Sequence, residues 1–141
     1  MVKLLIGALI AIPWLGALIV WWVGDQHEKA EHILAVVFSL LTGAVSVALL
    51  FNAGQQPVTF FSLGKYFGEA TFVPNGLGIF LSAIAACIGA LAVVFSTSYM
   101  KGEASLGRFY AFVLFFIGSM IGLVLTSSIL LMFIFWEFTA L

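Results

Sequence analysis

The sequence predicts an all-α membrane protein with four transmembrane helices, a fifth begun at the C-terminus, and a small β-hairpin between helices 2 and 3. Three observations predict it. Of 141 residues, 64% are hydrophobic and only 8% charged, whereas soluble domains carry about a quarter charged residues. Mean hydropathy is +1.25. The apolar residues also gather into runs of roughly 18 or more, the length that crosses a hydrocarbon core about 30 Å thick at 1.5 Å rise per residue.

The first span, 4–23, follows Lys3 and reads "LLIGALIAIPWLGALIVWWV". Pro13 is expected to kink it, which neighbouring helices or waters tolerate by satisfying the freed carbonyl. Trp21 and Trp22 suit the aromatic belt at one interface. The run is too long for a signal peptide and has no small-residue cleavage site, so it reads as a retained span. "GDQHEKAEH", Gly24 to His32, is the densest charge cluster and reads as a turn between antiparallel spans. With no cysteine beside them, His27 and His32 read as solvated loop residues rather than metal ligands.

The second span is expected over 33–51. Beyond it, "NAGQQPVTFFSLGKYFGEATFVPNG" is too polar for a span, yet rich in aromatic and β-branched residues. "PVTFFSL" and "YFGEATFV" flank Gly64-Lys65, a Gly-X pair suited to a type II′ hairpin lying on the membrane surface. Lys65 and Glu69 fall on its solvated edge. Asn75 is placed to N-cap the third helix, 77–99. Along that helix Ser82, Ala86 and Ala90 recur every four residues, as do Ala85 and Gly89, and small-residue faces let helices approach closely in lipid. The single Cys87 excludes an internal disulfide and reads as a small buried packing residue. The fourth span, 108–125, carries Gly118 and Gly122 at GxxxG spacing, a packing face. "TSS", Thr126 to Ser128, is a minimal turn before the fifth helix.

Positive-inside bias sets Lys29, Lys101 and Arg108 against Lys3 and Lys65, which places the two charged loops in the cytoplasm and the hairpin outside. The net charge of −1 provides no basic footprint for nucleic acid. No nucleophile–base pair or metal cluster appears in the spans, so an intramembrane enzyme ranks last and no cofactor is expected.

One acid interrupts the final apolar run. Glu137 lies eleven residues beyond Thr126, roughly 16 Å along a helix, and half the hydrocarbon thickness is about 15 Å. It is therefore expected near the bilayer midplane. A carboxylate there costs about 2.5–3.5 kcal/mol on insertion scales, and such residues usually face a protein interior or a wet cavity. A mobile Lys beside it could load and unload its proton. The spans hold no such cation at matching depth.

"NGLGIFLSAIAACIGALAVVFSTSYM" and "GRFYAFVLFFIGSMIGLVLTSSILLMFIFWEFTAL" resemble the amino-terminal part of the proton-translocating antiporter-like subunits. That family is shared by respiratory complex I, Mrp-type sodium/proton antiporters and membrane-bound hydrogenases. The resemblance covers about 74–141. It rests on Tyr99-Met100, on Arg108-Phe109-Tyr110, and above all on Phe135-Trp136-Glu137, where Glu137 takes the place of the family's essential glutamate. Thr139 looks closer to the large Mrp-type subunit. Asn75-Gly76-Leu77-Gly78 stands where the family often has Asp-Gly-Leu-Ser, and Ser127-Ser128 where it has Asp-Asn, so an acid is missing at two helix entrances.

The resemblance implies a prokaryotic cell membrane, partner membrane subunits, and later helices supplying a Lys for Glu137. The family fold has about fourteen spans, so residues 1–141 read as one transmembrane domain. It is expected to be the amino-terminal piece of a larger or split subunit, because a fifth helix ending at Leu141 falls short of the core thickness. The competing expectation is a structural or assembly subunit in which Glu137 is merely hydrogen-bonded.

Overall fold

A computed structural model describes residues 2–23, 27–52, 58–62, 69–73, 76–99 and 106–140. These form α1 (Val2–Val23), α2 (Glu28–Asn52), β1 (Val58–Ser62), β2 (Glu69–Phe72), α3 (Gly76–Tyr99), α4 (Leu106–Leu125) and α5 (Ile129–Thr139). Among the described residues, four stretches, Leu4–Val23, Lys29–Phe51, Gly76–Tyr99 and Gly107–Leu125, are long and apolar enough to cross a membrane. The protein is a multi-pass integral membrane protein, all-α apart from one hairpin.

α2 begins earlier than the charge pattern suggested. Glu28 to His32 is helix, not turn, because Glu, Lys and Ala are good helix formers and a spanning helix can project past the hydrocarbon. Its buried face repeats at spacings of three and four through Glu31, Ala35, Ser39, Thr42, Ser46 and Leu49, the signature of one helical stripe. α1 runs on through Pro13, and Trp21 and Trp22 at its end are exposed.

β1 and β2 pair antiparallel, with Val58 opposite Phe72 and Ser62 opposite Glu69, and the register shifts between Thr59 and Phe61. The expected Gly64-Lys65 turn lies outside the described residues, as does the Asn75 cap. The hairpin does not stand alone. Phe72 bridges to Thr126, so β2 also pairs with the connection between α4 and α5.

The core runs through all five helices. On α3, Ser82, Ala86 and Ala90 are buried, whereas Cys87 is exposed, contrary to its reading as a buried residue. The reason is physical: a lipid-facing position is as apolar as a core position, so hydropathy does not separate them. Gly89 faces Ile117, and a Cβ added at Gly89 would lie 2.6 Å from its Cδ1. The α4 glycines face two different helices. A Cβ at Gly118 would lie 2.5 Å from Trp14 Cδ1 of α1, and one at Gly122 would lie 2.6 Å from Phe135 of α5.

These contacts set a stability test. Gly118→Ala is expected to destabilise the chain by about 1–3 kcal/mol, the usual cost of overpacking. Gly43→Ala is the control, since nothing lies within 4 Å of a Cβ built there; it should be neutral or slightly stabilising. Denaturant unfolding in detergent micelles measures both, and equal stability of the two variants would contradict the close approach at Gly118.

Candidate functional site

Phe135 fixes how α5 presents its acid. This side chain is buried, 5% exposed, and packs 5.9 Å from the Trp14 ring and 6.2 Å from Phe72, centroid to centroid. Phe138, one turn on, stands 5.2 Å from Phe115 and 5.8 Å from Trp14. Trp14 and Phe115 themselves stack at 5.3 Å. Aromatic pairs in these offset and tilted arrangements contribute about 0.5–1.5 kcal/mol each beyond area burial. α1, α4 and α5 therefore meet in one aromatic cluster.

Glu137 sits two residues past Phe135, about 200° around the helix at 3.6 residues per turn. With Phe135 inward, Glu137 is turned outward, and it is exposed on the surface of the five-helix bundle beside the exposed Trp136. Eight residues separate it from Ile129, the start of α5, a rise of roughly 12 Å. The Thr139 hydroxyl donates to the Trp136 carbonyl at 2.6 Å.

The start of α5 is held by backbone hydrogen bonds rather than by a side-chain cap. Ser128 is the N-cap residue but its side chain makes no capping bond. Instead Ser127 N–H donates to the Thr71 carbonyl at 2.9 Å, and Val73 N–H to the Leu125 carbonyl at 2.8 Å. The Thr126 and Ser127 hydroxyls donate to the same Thr71 carbonyl at 3.3 and 3.2 Å. Sequence reasoning missed this role of the hairpin, because pairing between residues more than fifty positions apart leaves no local pattern.

His27 is exposed, as a loop histidine would be, but His32 is part of α2 and is half-buried. Its Nδ1 lies 2.6 Å from the Tyr110 hydroxyl, so it is a tertiary contact and not a solvated loop residue. The hydropathy pattern gave no sign of this, since the two residues are 78 positions apart.

Residues 60–110 match the family described as NADH-Ubiquinone oxidoreductase (complex I), chain 5 N-terminus. Na(+)/H(+) antiporter subunit A1 of Staphylococcus aureus strain JH9 is 38% identical over 66 residues, covering 47% of this chain and 8% of that protein. The same protein from strain Newman matches equally. The matched stretch of this chain is thus similar to part of antiporter and complex I subunits. The aligned stretch spans less than a tenth of the length of those relatives.

The seating of the hairpin is open to measurement. Phe72 is 6% exposed, and Phe72→Ala should cost about 3–5 kcal/mol, as for other buried phenylalanines. Site-resolved hydrogen exchange should then show the Ser127 amide losing protection while amides inside α4 keep theirs. Unchanged protection at Ser127 would contradict the hairpin's hold on α5.

Proposed function

We propose that this chain supplies the amino-terminal helices of a subunit of a multi-subunit cation/proton antiporter or redox-driven proton pump, and that Glu137 carries protons within it. The single observation behind the role of Glu137 is its outward aim. A carboxylate facing acyl chains costs about 2.5–3.5 kcal/mol, so an exposed Glu137 in an apolar helix calls for a polar neighbour from outside this bundle. A structural acid serving the bundle would turn inward, toward α1 or α4; here Phe135 and Phe138 hold those positions. A lysine on a further helix, alternately close and withdrawn, gives the carboxylate two protonation states, which is what proton transfer through lipid requires.

The partner surface is the exposed side of α5. Trp136 and Phe133 are 61% and 60% exposed there, and they flank Glu137 on the same helix. Large apolar side chains around one acid form a face that further helices can cover. The proposed partners are accordingly other membrane segments, from the same subunit or from its neighbours in a complex, together with the bilayer. The match to the Na(+)/H(+) antiporter subunit A1 proteins supports sodium/proton exchange as the transport class. By itself the chain should dissipate no pH gradient in liposomes.

The test compares two substitutions in the assembled complex, scoring assembly and ion flux separately. Glu137→Gln keeps shape and hydrogen-bonding capacity but cannot titrate, so assembly should survive while flux is lost. Glu137→Ala should also abolish flux. If Glu137 only ties helices together, Gln is nearly silent and Ala harms assembly most, because truncation leaves a polar partner unsatisfied. A Gln variant that assembles and transports at the parental rate overturns the proposal.

A further inference from the structure

α1 and α4 pack side by side in opposite directions. The Trp14–Phe115 stack at 5.3 Å fixes their register. Seven residues from that stack along each helix stand Trp21, near the end of α1, and Arg108, in the first turn of α4. Between these two levels the helices leave a groove of about 320 Å³. Each helix contributes a stripe of residues three, four and seven apart, the pattern of one helical face. Ala17 and Ala111, 6% and 7% exposed, form the floor. Their small side chains keep it deep. Leu18 and Phe112 rise beside them as exposed walls. Seven residues at 1.5 Å each give the groove a length of about 10 Å.

We infer that this groove seats one acyl chain of an anionic phospholipid, with the lipid phosphate on Arg108. The chemistry at the two ends differs in the sense that a phospholipid requires. The inner end is aromatic, closed by the stacked rings of Trp14 and Phe115. At the mouth the Arg108 guanidinium lines the groove with five N–H donors, in a fork that matches phosphate geometry. Five donors leave capacity for a phosphate beside any other acceptor. Arg108 also stands in the first turn of α4, where the helix dipole favours anions over cations. A phosphate there is attracted by the side chain and by the helix end alike. Trp21, 65% exposed, lies at the same level, as an interfacial tryptophan does.

The dimensions select an acyl chain over a protein helix. A helix with its side chains is about 10–12 Å across, so it can lie over this groove but not enter it. Pockets for small ligands begin at about 300 Å³, which suits a single chain. The groove covers about a third of a 30 Å hydrocarbon core, so the part of the chain nearest the headgroup lies in it. Lys29 of α2 is exposed at the same end of the bundle, where the starts of α2 and α4 meet through His32 and Tyr110. Positive-inside bias sets this end in the cytoplasm. Anionic lipids concentrate in that leaflet, and basic pockets between spanning helices there bind their headgroups. Trp14 and Phe115 also support Phe138 of α5, so a seated chain braces the aromatic cluster from the lipid side. The site stands whether or not Glu137 carries protons.

The test uses the protein in its native complex, in phosphatidylcholine nanodiscs with a trace of photoreactive phosphatidylglycerol. The reactive group sits on the acyl chain close to the headgroup, and mass spectrometry locates the attached lipid after irradiation. Label is expected on residues 17–21 and 111–115. Excess phosphatidylglycerol should displace it, and excess phosphatidylethanolamine should not. Arg108→Gln should lower the label about tenfold, the loss expected with one charge-assisted hydrogen bond. Arg108→Lys keeps the charge without the fork and should recover part of the label. Equal displacement by the two lipids marks an ordinary boundary lipid and overturns the site. No label on either segment means that protein covers the groove, which also overturns it. An Arg108→Gln complex labelled at the parental level does the same. Should that variant not assemble, displacement in the parental complex decides alone. Glu137→Gln should label as the parent does, so this inference and the proton-carrying role fail separately.

Discussion

The bundle depends on the close approach at Gly118 and Gly122. Helices in lipid gain little from burying apolar surface, because acyl chains are as apolar as leucine, and their association relies on van der Waals fit. Glycine on α4 lets Trp14 of α1 and Phe135 of α5 come to distances that any Cβ would block. The two glycines lie four apart on one ridge, yet each receives a different helix. α4 thereby becomes the shared wall for α1 on one side and α5 on the other, and Phe115 and Phe138 fill the space between. The orientation of Glu137 follows from this seating.

The hairpin completes the arrangement by solving a backbone problem. Unpaired N–H and C=O groups shielded from water cost free energy comparable to a lost hydrogen bond, and a break between two helices exposes several at once. The break at 126–128 is met by β2: Thr71 accepts from Ser127, and Leu125 accepts from Val73. A strand that also pairs with β1 is held at both edges, so it can fix the direction in which α5 leaves α4. Phe72 then links the hairpin to Phe135 through their ring contact. Backbone pairing and aromatic packing point α5 the same way.

Much of this was legible in the sequence, for identifiable reasons. The spans follow from run length, and the hairpin from alternating aromatic and β-branched residues between polar breaks. Glu137 stands out because a lone acid in an apolar run is expensive. What the sequence concealed falls into two kinds. Lipid-facing and core-facing positions share one composition, so Cys87 was assigned to the wrong side and the partners of Gly118 and Gly122 could not be named. Long-range polar contacts leave no periodic trace, so neither the His32–Tyr110 contact nor the hairpin's bond to Ser127 shows in the sequence. The start of α2 is hidden for a simpler reason: a charge cluster suggests a turn, although Glu, Lys and Ala favour helix.

The two acids differ in what they need. Glu31 is enclosed by the chain's own helices and has no exposed surface. Its environment is set once this bundle folds. Glu137 is displayed on an outer face, so its environment is set only when something else covers α5. An inward group supplied by the fold and an outward group completed by a partner can be tuned independently, because a change in the partner alters one and leaves the other. The seating of Phe135 against Gly122 keeps these two environments apart: it turns Glu137 away from the interior in which Glu31 is buried.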